Sequence, residues 1–295
     1  MGLGVVAPFA YLCPVRLTLT AIVATLMGLT AAPAVAADPI DYVALGDSFT
    51  AAPMVPGTSL AGGCIRSTGN YPHRYAAKHP RVRLTDVSCS AATTSDVYSS
   101  QHTAWGDLPP QLDAVNAGTD LVTISLGGND EGLFGTLTDW CANITGTQTT
   151  GHPCQDAMAN PDGTDWLATT IPRTQERIKN VVLAVKAKAP HARIVLIGYP
   201  RLVPTKGRCD ALPLADGDYA YAFGLNLALN RAVQAAARET NVKYLNLWRA
   251  SRRHDICAKV PWVNGKDTVL TAAYKYHPFA NEQAAIARML HRRLR

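Results

Sequence analysis

Tyr42-Val43-Ala44-Leu45-Gly46-Asp47-Ser48 is the stretch on which the fold turns. Four consecutive apolar residues with no polar alternation read as a strand buried on both faces, the pattern of a parallel sheet covered by helices. Gly46 ends the strand, and Asp47-Ser48 opens a helix or loop. A serine in that place stands at the carboxyl edge of the sheet, where such folds form their crevices. Asp and Ser also favour helix caps, so the tripeptide alone leaves a structural role open beside a functional one.

Similar runs recur outward from this stretch. Arg83 to Val87 reads as a second strand, and Leu121 to Leu126 as a third, stopped by Gly127-Gly128. Ile194 to Ile197 is a fourth, stopped by Gly198 and Pro200, and Val242 to Leu247 a fifth. Between them, Ile178, Val181, Val182 and Val185 mark the apolar face of a helix with Lys186 and Lys188 near its end. Tyr219 to Arg238 reads as a long helix and Glu282 to Arg293 as the last. This alternation predicts an α/β fold, a parallel sheet with helices on both sides. Thr138 to Trp166 and Leu202 to Asp218 read as long connections carrying Cys, Gly and Pro.

The chain has 295 residues, 47% hydrophobic and 17% charged, the composition of an ordinary globular protein. It is predicted to comprise a signal peptide, residues 1–37, and one domain, residues 38–295. Arg16 precedes an apolar stretch from Leu17 to Thr30, and Ala34-Val35-Ala36 supplies an A-x-A cleavage site. An uncleaved anchor is the alternative, although the apolar run is short for a membrane span. Secretion is the expected localisation. The net charge is +6, with no Lys/Arg run longer than two, so no nucleic-acid footprint is expected. Beyond Cys13 in the leader, six cysteines remain, an even number that reads as disulfides with fifteen pairings open. None is spaced as CxxC and no His pair completes a zinc site, so no metal is expected.

Two further blocks carry candidate chemistry. Leu126-Gly127-Gly128-Asn129-Asp130 ends the third strand; the glycines permit a sharp turn, and the Asn129 amide is a suitable donor to an oxyanion. An asparagine that merely holds the turn is the plain alternative. Tyr276-His277-Pro278 precedes the final helix, where a histidine can reach back over the sheet edge to Ser48. A lone histidine is more often structural. Pro278 restricts the backbone behind the ring and favours function.

In this order, each at a strand end or helix start, Gly46-Asp47-Ser48, Gly128-Asn129-Asp130 and His277 resemble the blocks of the SGNH (GDSL) hydrolase family. The six cysteines and Cys89-Ser90-Ala91-Ala92-Thr93-Thr94 are similar to its secreted actinobacterial lipase/esterase branch. The resemblance implies a three-layer α/β/α sandwich of flavodoxin type, with five parallel strands in order 2-1-3-4-5. It implies Ser48 as nucleophile and His277 as general base. The oxyanion hole would be the N–H groups of Ser48 and Ala91 with the Asn129 side chain. It also implies disulfides Cys64–Cys89, Cys141–Cys154 and Cys209–Cys257.

Two positions depart from the family pattern. Ala91 stands where the family has glycine; because the donor is a backbone N–H, alanine serves if its dihedrals are allowed. Tyr274 stands where the family has the aspartate that orients the histidine. Its backbone carbonyl is then expected to accept the His277 Nδ1–H in a Ser-His dyad, with Asp267 swinging in from the preceding loop as the alternative. A neutral carbonyl supports imidazolium less than a carboxylate does, so a His277 pKa near ~6.5 is expected.

The expected activity is secreted carboxylic-ester hydrolysis of fatty-acyl esters, that of a lipase or esterase with phospholipase included in the range, without a cofactor. Expected partners are a small-molecule or lipid ester and a transient lipid interface, and the chain is expected to act as a monomer. The rivals are a carbohydrate O-acetyl esterase and a catalytically inactive surface-binding protein. The chain lacks G-x-S-x-G, a phosphate-binding G-x-x-x-x-G-K and H-E-x-x-H. Asp47 and Asp130 read as loop anchors, and Trp140 and Trp166 as candidate cleft walls. Asn143-Ile144-Thr145 is a glycosylation sequon of little weight.

Overall fold

The computed structural model describes residues 1–7, 9–11, 38–144 and 148–295. Most of the expected leader, with its apolar stretch, its cleavage site and Cys13, and Thr145 of the sequon lie outside the described residues. The unit Asp38–Arg295 holds the sheet, the core and the candidate site.

Strands β1 (Ile40–Gly46), β2 (Val82–Asp86), β3 (Leu121–Ser125), β4 (Arg193–Ile197) and β5 (Lys243–Leu245) form one sheet in order β2-β1-β3-β4-β5. Every pairing is parallel. This is the expected order and class.

Successive side chains on these strands enter two different cores, which is why β1 and β3 read as unbroken apolar runs. Val43, Leu45, Val122, Ile124 and Leu196 pack on one face. Helices α3 (Trp166–Lys188) and α4 (Asp218–Glu239) cover it with Ile178, Val182, Leu225 and Leu229. Tyr42, Ala44, Leu121, Val195 and Ile197 pack on the other face. There α2 (Tyr71–Ala76) and α5 (Ala280–Leu294) supply Tyr71, Tyr75, Ile286 and Leu290. Each of these fully buried aliphatic side chains contributes about 1.5–3 kcal/mol through removal from water.

Helix α3 starts where the Asp165 carboxylate accepts the Ala168 N–H at 2.7 Å, and it ends with Lys186 and Lys188 near its negative pole. The fifth strand is shorter than expected, because the Asn246 side chain accepts the Arg249 N–H at 2.8 Å and starts a turn of helix, Leu247–Ala250. The second strand lies one residue earlier than read, on the half-exposed sheet edge.

The long connection read between Thr138 and Trp166 is partly helical. It contains single turns at Thr136–Trp140, Cys141–Ile144 and Pro153–Ala157. Turns this short carry no amphipathic period to read. Tertiary contacts hold them: the buried Asp218 carboxylate accepts the N–H groups of Cys154 and Gln155, each at 3.0 Å. Disulfides join Cys64–Cys89, Cys141–Cys154 and Cys209–Cys257, at separations of 25, 13 and 48 residues. Each such closure is worth roughly 3–4 kcal/mol in the chain-entropy account.

Candidate active site

Gly46 of β1 pairs with Ser125 of β3, so the two strands end level and their exit turns lie side by side. The turn after β1 enters α1 (Ser48–Ala51), for which Asp47 is the N-cap: its carboxylate accepts the Phe49 N–H at 2.8 Å. Gln111 brackets Gly46, accepting its N–H at 2.9 Å and donating to its carbonyl at 3.0 Å. Gly46 has no room for a side chain, since a Cβ there would sit 2.2 Å from Thr50 Oγ1.

The turn after β3 is tied to the same carboxylate. Tyr199 donates its hydroxyl hydrogen to Asp47 and accepts the Gly128 N–H at 2.8 Å. Gly127 adopts φ +111°, and a Cβ on Gly128 would meet the Phe134 ring at 2.5 Å. Both glycines are therefore required for Asn129 to emerge where it does. The Asn129 amide donates to the Ala92 carbonyl at 2.9 Å, and Asp130 accepts the Thr94 N–H at 2.9 Å and hydroxyl at 2.6 Å. Asp47 and Asp130 are loop anchors. Burial pushes both carboxyls up, Asp47 to about 7.

Ala91, on the docked Cys89–Thr94 segment, has φ +64°, the left-handed region that favours glycine. Among the described residues, neither the Ser48 nor the Ala91 N–H finds a protein acceptor. Both residues, with Asn129 and His277, line one cavity of about 240 Å³. Phe49, Ile65, Phe134 and Leu202 complete much of its wall, and Ser48 is nearly buried. The four residues singled out in the sequence thus surround one space. No hydrogen bond joins the Ser48 hydroxyl to the His277 ring in this structure.

His277 is oriented differently from the expectation. Its Nδ1–H donates to the carbonyl of Lys275 at 2.6 Å, not to that of Tyr274. The Tyr274 carbonyl is engaged in the turn itself, accepting the His277 N–H at 3.1 Å and the Asn264 amide at 3.2 Å. Tyr276 between them has φ +58°. The Tyr274 ring meets His277 edge-on, with centroids 5.4 Å apart, and Phe49 stacks on it at 5.8 Å. Asp267 is not brought to the ring; its carboxylate faces solvent and pairs with Lys266 at 2.7 Å.

The expected pKa is also corrected. Burial lowers that of His277 below its ordinary 6.5, partly offset by the Lys275 carbonyl and the charge of Asp139. Asp139 lines the cavity and pairs with the Lys275 ammonium. No sequence signal connects these two residues, which are 136 positions apart. Tyr199, by contrast, directly follows the Gly198 that ends β4 and was open to recognition as a crevice residue. Gln283 was also missed; its amide donates to the Phe49 carbonyl at 2.9 Å and accepts the Tyr71 N–H at 2.7 Å, tying α5 to α1. Trp140 and Trp166 do not line the cavity. Among the described residues no group of three His, Cys, Asp or Glu side chains converges on a metal position.

Residues 44–280 match the family model described as GDSL-like lipase/acylhydrolase. The chain is 39% identical over 255 residues to Lipase 2 of Streptomyces coelicolor, covering 81% of this chain and 82% of that one. It is 32% identical over 246 residues to a lipase of Streptomyces rimosus, covering 83% and 82%. Among solved structures, the extracellular lipase of Streptomyces rimosus superposes with a TM-score of 0.71 at 28% identity, over 86% of this chain and 99% of that one. Phospholipase A1 of Streptomyces albidoflavus gives 0.70 at 26% identity, over 86% and 99%.

Proposed function

We propose, on the premise that the chain belongs to the GDSL-like lipase/acylhydrolase family, that it cleaves fatty-acyl esters by two-step acyl transfer through Ser48 and His277. It is a carboxylic-ester hydrolase of the lipase/esterase type. The His277 Nδ1–H is held by the Lys275 carbonyl, which leaves Nε2 unprotonated to accept the Ser48 proton. The serine oxygen attacks the ester carbonyl. The resulting oxyanion is received by the N–H groups of Ser48 and Ala91 and by the Asn129 amide. Imidazolium returns its proton to the leaving alcohol, and water repeats the sequence to free the acid. The observation that carries this reading is the pair of uncommitted N–H groups on two residues, Ser48 and Ala91, that line the same cavity as Asn129 and His277.

The apolar wall of Phe49, Ile65, Phe134 and Leu202 supports an acyl rather than a sugar substrate. Leu270, exposed at the tip of a turn that leads to Tyr274, supports transient contact with a lipid interface. Three disulfides and the likeness to an extracellular lipase support export of a mature domain spanning residues 38–295.

A p-nitrophenyl ester series from acetate to palmitate tests the substrate. Turnover is expected to extend to medium and long chains and to vanish in Ser48→Ala. Turnover of acetate alone would favour a carbohydrate O-acetyl esterase. Absence of fluorophosphonate labelling at Ser48 would favour an inactive binding protein.

A further inference from the structure

The basic residues are scattered along the sequence, yet folding gathers four of them around a second cavity. Arg249, Arg252, Arg292 and Arg293 line a groove of about 770 Å³, more than the space at Ser48. Its floor is Tyr244 and Leu245 of β5, the open edge of the sheet. Gln234 of α4 stands in its wall. The arginines come from two segments: the turn of helix Leu247–Ala250 with the residues just after it, and the last turn of α5.

Among the described residues no carboxylate side chain lines this groove. The ion-paired arginines among the described residues, Arg83, Arg173, Arg177 and Arg208, all lie elsewhere. Behind the groove, Arg201 lies over the Trp248 ring at 4.7 Å and adds to the positive field. Arg292 and Arg293 offset the negative pole of α5, which accounts for two of the four but not for Arg249 and Arg252.

We propose that this groove binds a linear polyanion that presents repeated phosphate groups. A guanidinium fork matches phosphate oxygens in a bidentate manner, and four forks from two segments outnumber what one anion can engage. The volume is that of a site for an extended multi-group ligand rather than a single ion. β5 has three residues, too few to recruit a peptide strand by backbone pairing. Among the described residues Tyr244 alone supplies an aromatic ring to the lining, whereas binding of successive nucleic-acid bases uses several stacking platforms. Among the described residues, none of the exposed large apolar side chains lines the groove, which leaves it without an apolar anchor for a lipid surface. The proposal is independent of the acyl-transfer reading, because the groove contains none of the residues at Ser48.

The test is binding of fluorescently labelled inorganic polyphosphate to the full protein at physiological salt, followed by anisotropy. Arg249→Gln/Arg292→Gln/Arg293→Gln is expected to weaken binding by about tenfold or more, from lost phosphate contacts. The charge-matched control Lys78→Gln/Lys206→Gln/Lys259→Gln, at exposed positions elsewhere, is expected to change it by less than about threefold. Ester hydrolysis should persist in both. Should the first variant fail to fold, Arg249→Lys/Arg292→Lys/Arg293→Lys keeps the charge and removes the forks, and weaker binding by it supports the site. Equal losses in groove and control variants would overturn the proposal, as would no binding by the wild type. Equal affinity for poly-glutamate or single-stranded DNA would overturn the phosphate-polymer assignment. So would binding to phosphatidylglycerol vesicles with the same dependence on the three arginines.

Discussion

On the Ser48 side of the cavity, Asp47, Tyr199, Gln111 and Asp130 are all buried, and each spends its side chain on holding a turn. On the His277 side more of the work falls to main-chain atoms: the Lys275 carbonyl orients the ring, and the Tyr274 carbonyl closes the turn, with the buried Asn264 amide as its side-chain partner. The one charged contact there, Lys275 with Asp139, is partly exposed. A turn held by side chains is sensitive to substitution, whereas one held by carbonyls tolerates it. That difference explains how the position usually given to an acid can be Tyr274 without disordering the histidine.

The largest expected contrast is in rate. Asn129→Ala removes an oxyanion donor and should lower kcat by roughly 10²–10³-fold with little change in KM. Lys275→Ala, which keeps its carbonyl, should cost only a small factor. Equal losses would erase the distinction between the two sides.

Next is the pH dependence of stability. Asp47, with its folded pKa of about 7 against an ordinary 3.8, binds a proton more tightly when folded. Its contribution is fully present below pH 4 and is lost as pH rises towards 7, a change of about 2–4 kcal/mol. Asp47→Asn should flatten this slope in urea unfolding curves, and an unchanged slope would remove the buried-carboxyl account.

Smaller shifts should appear in the rate profile. The neutral form of His277 is the base, so kcat/KM should rise with pH through a midpoint below 6.5 and then level. Asp139→Asn leaves the Lys275 ammonium unbalanced and should move the midpoint lower; Lys275→Gln should move it higher. The same lowered pKa means that stability from this group is lost as pH falls below 6.5, since the unfolded chain takes the proton first. Shifts of the same sign in both variants would refute the electrostatic link.

The smallest effect is at Ala91. Ala91→Gly relieves the left-handed strain at some cost in chain entropy, for a net gain of about 0.5–1 kcal/mol in chemical denaturation. A loss of stability would show that the methyl group packs usefully against the cavity wall.

Most of the fold was legible because β1, β3 and β4 are buried on both faces, which forces continuous apolar runs that end at glycine. Ser48, Asn129 and His277 were legible for a related reason: they follow strand ends or precede a helix. Lys275 escaped because its contribution is a carbonyl, which every residue possesses. Asp139 escaped because it sits in one-turn helices held by a disulfide and by Asp218, with no period of their own. The arginine groove escaped because its arginines come from two stretches far apart in the sequence.

The central claim is that Ser48 and His277 act as one unit. It is tested most directly by the ester-hydrolysis rates of Ser48→Ala, His277→Ala and the double variant, each checked for folding by circular dichroism. The account predicts that the double variant is no slower than either single variant, because removing one member already disables the other. A double variant slower by the product of the two single losses would contradict it.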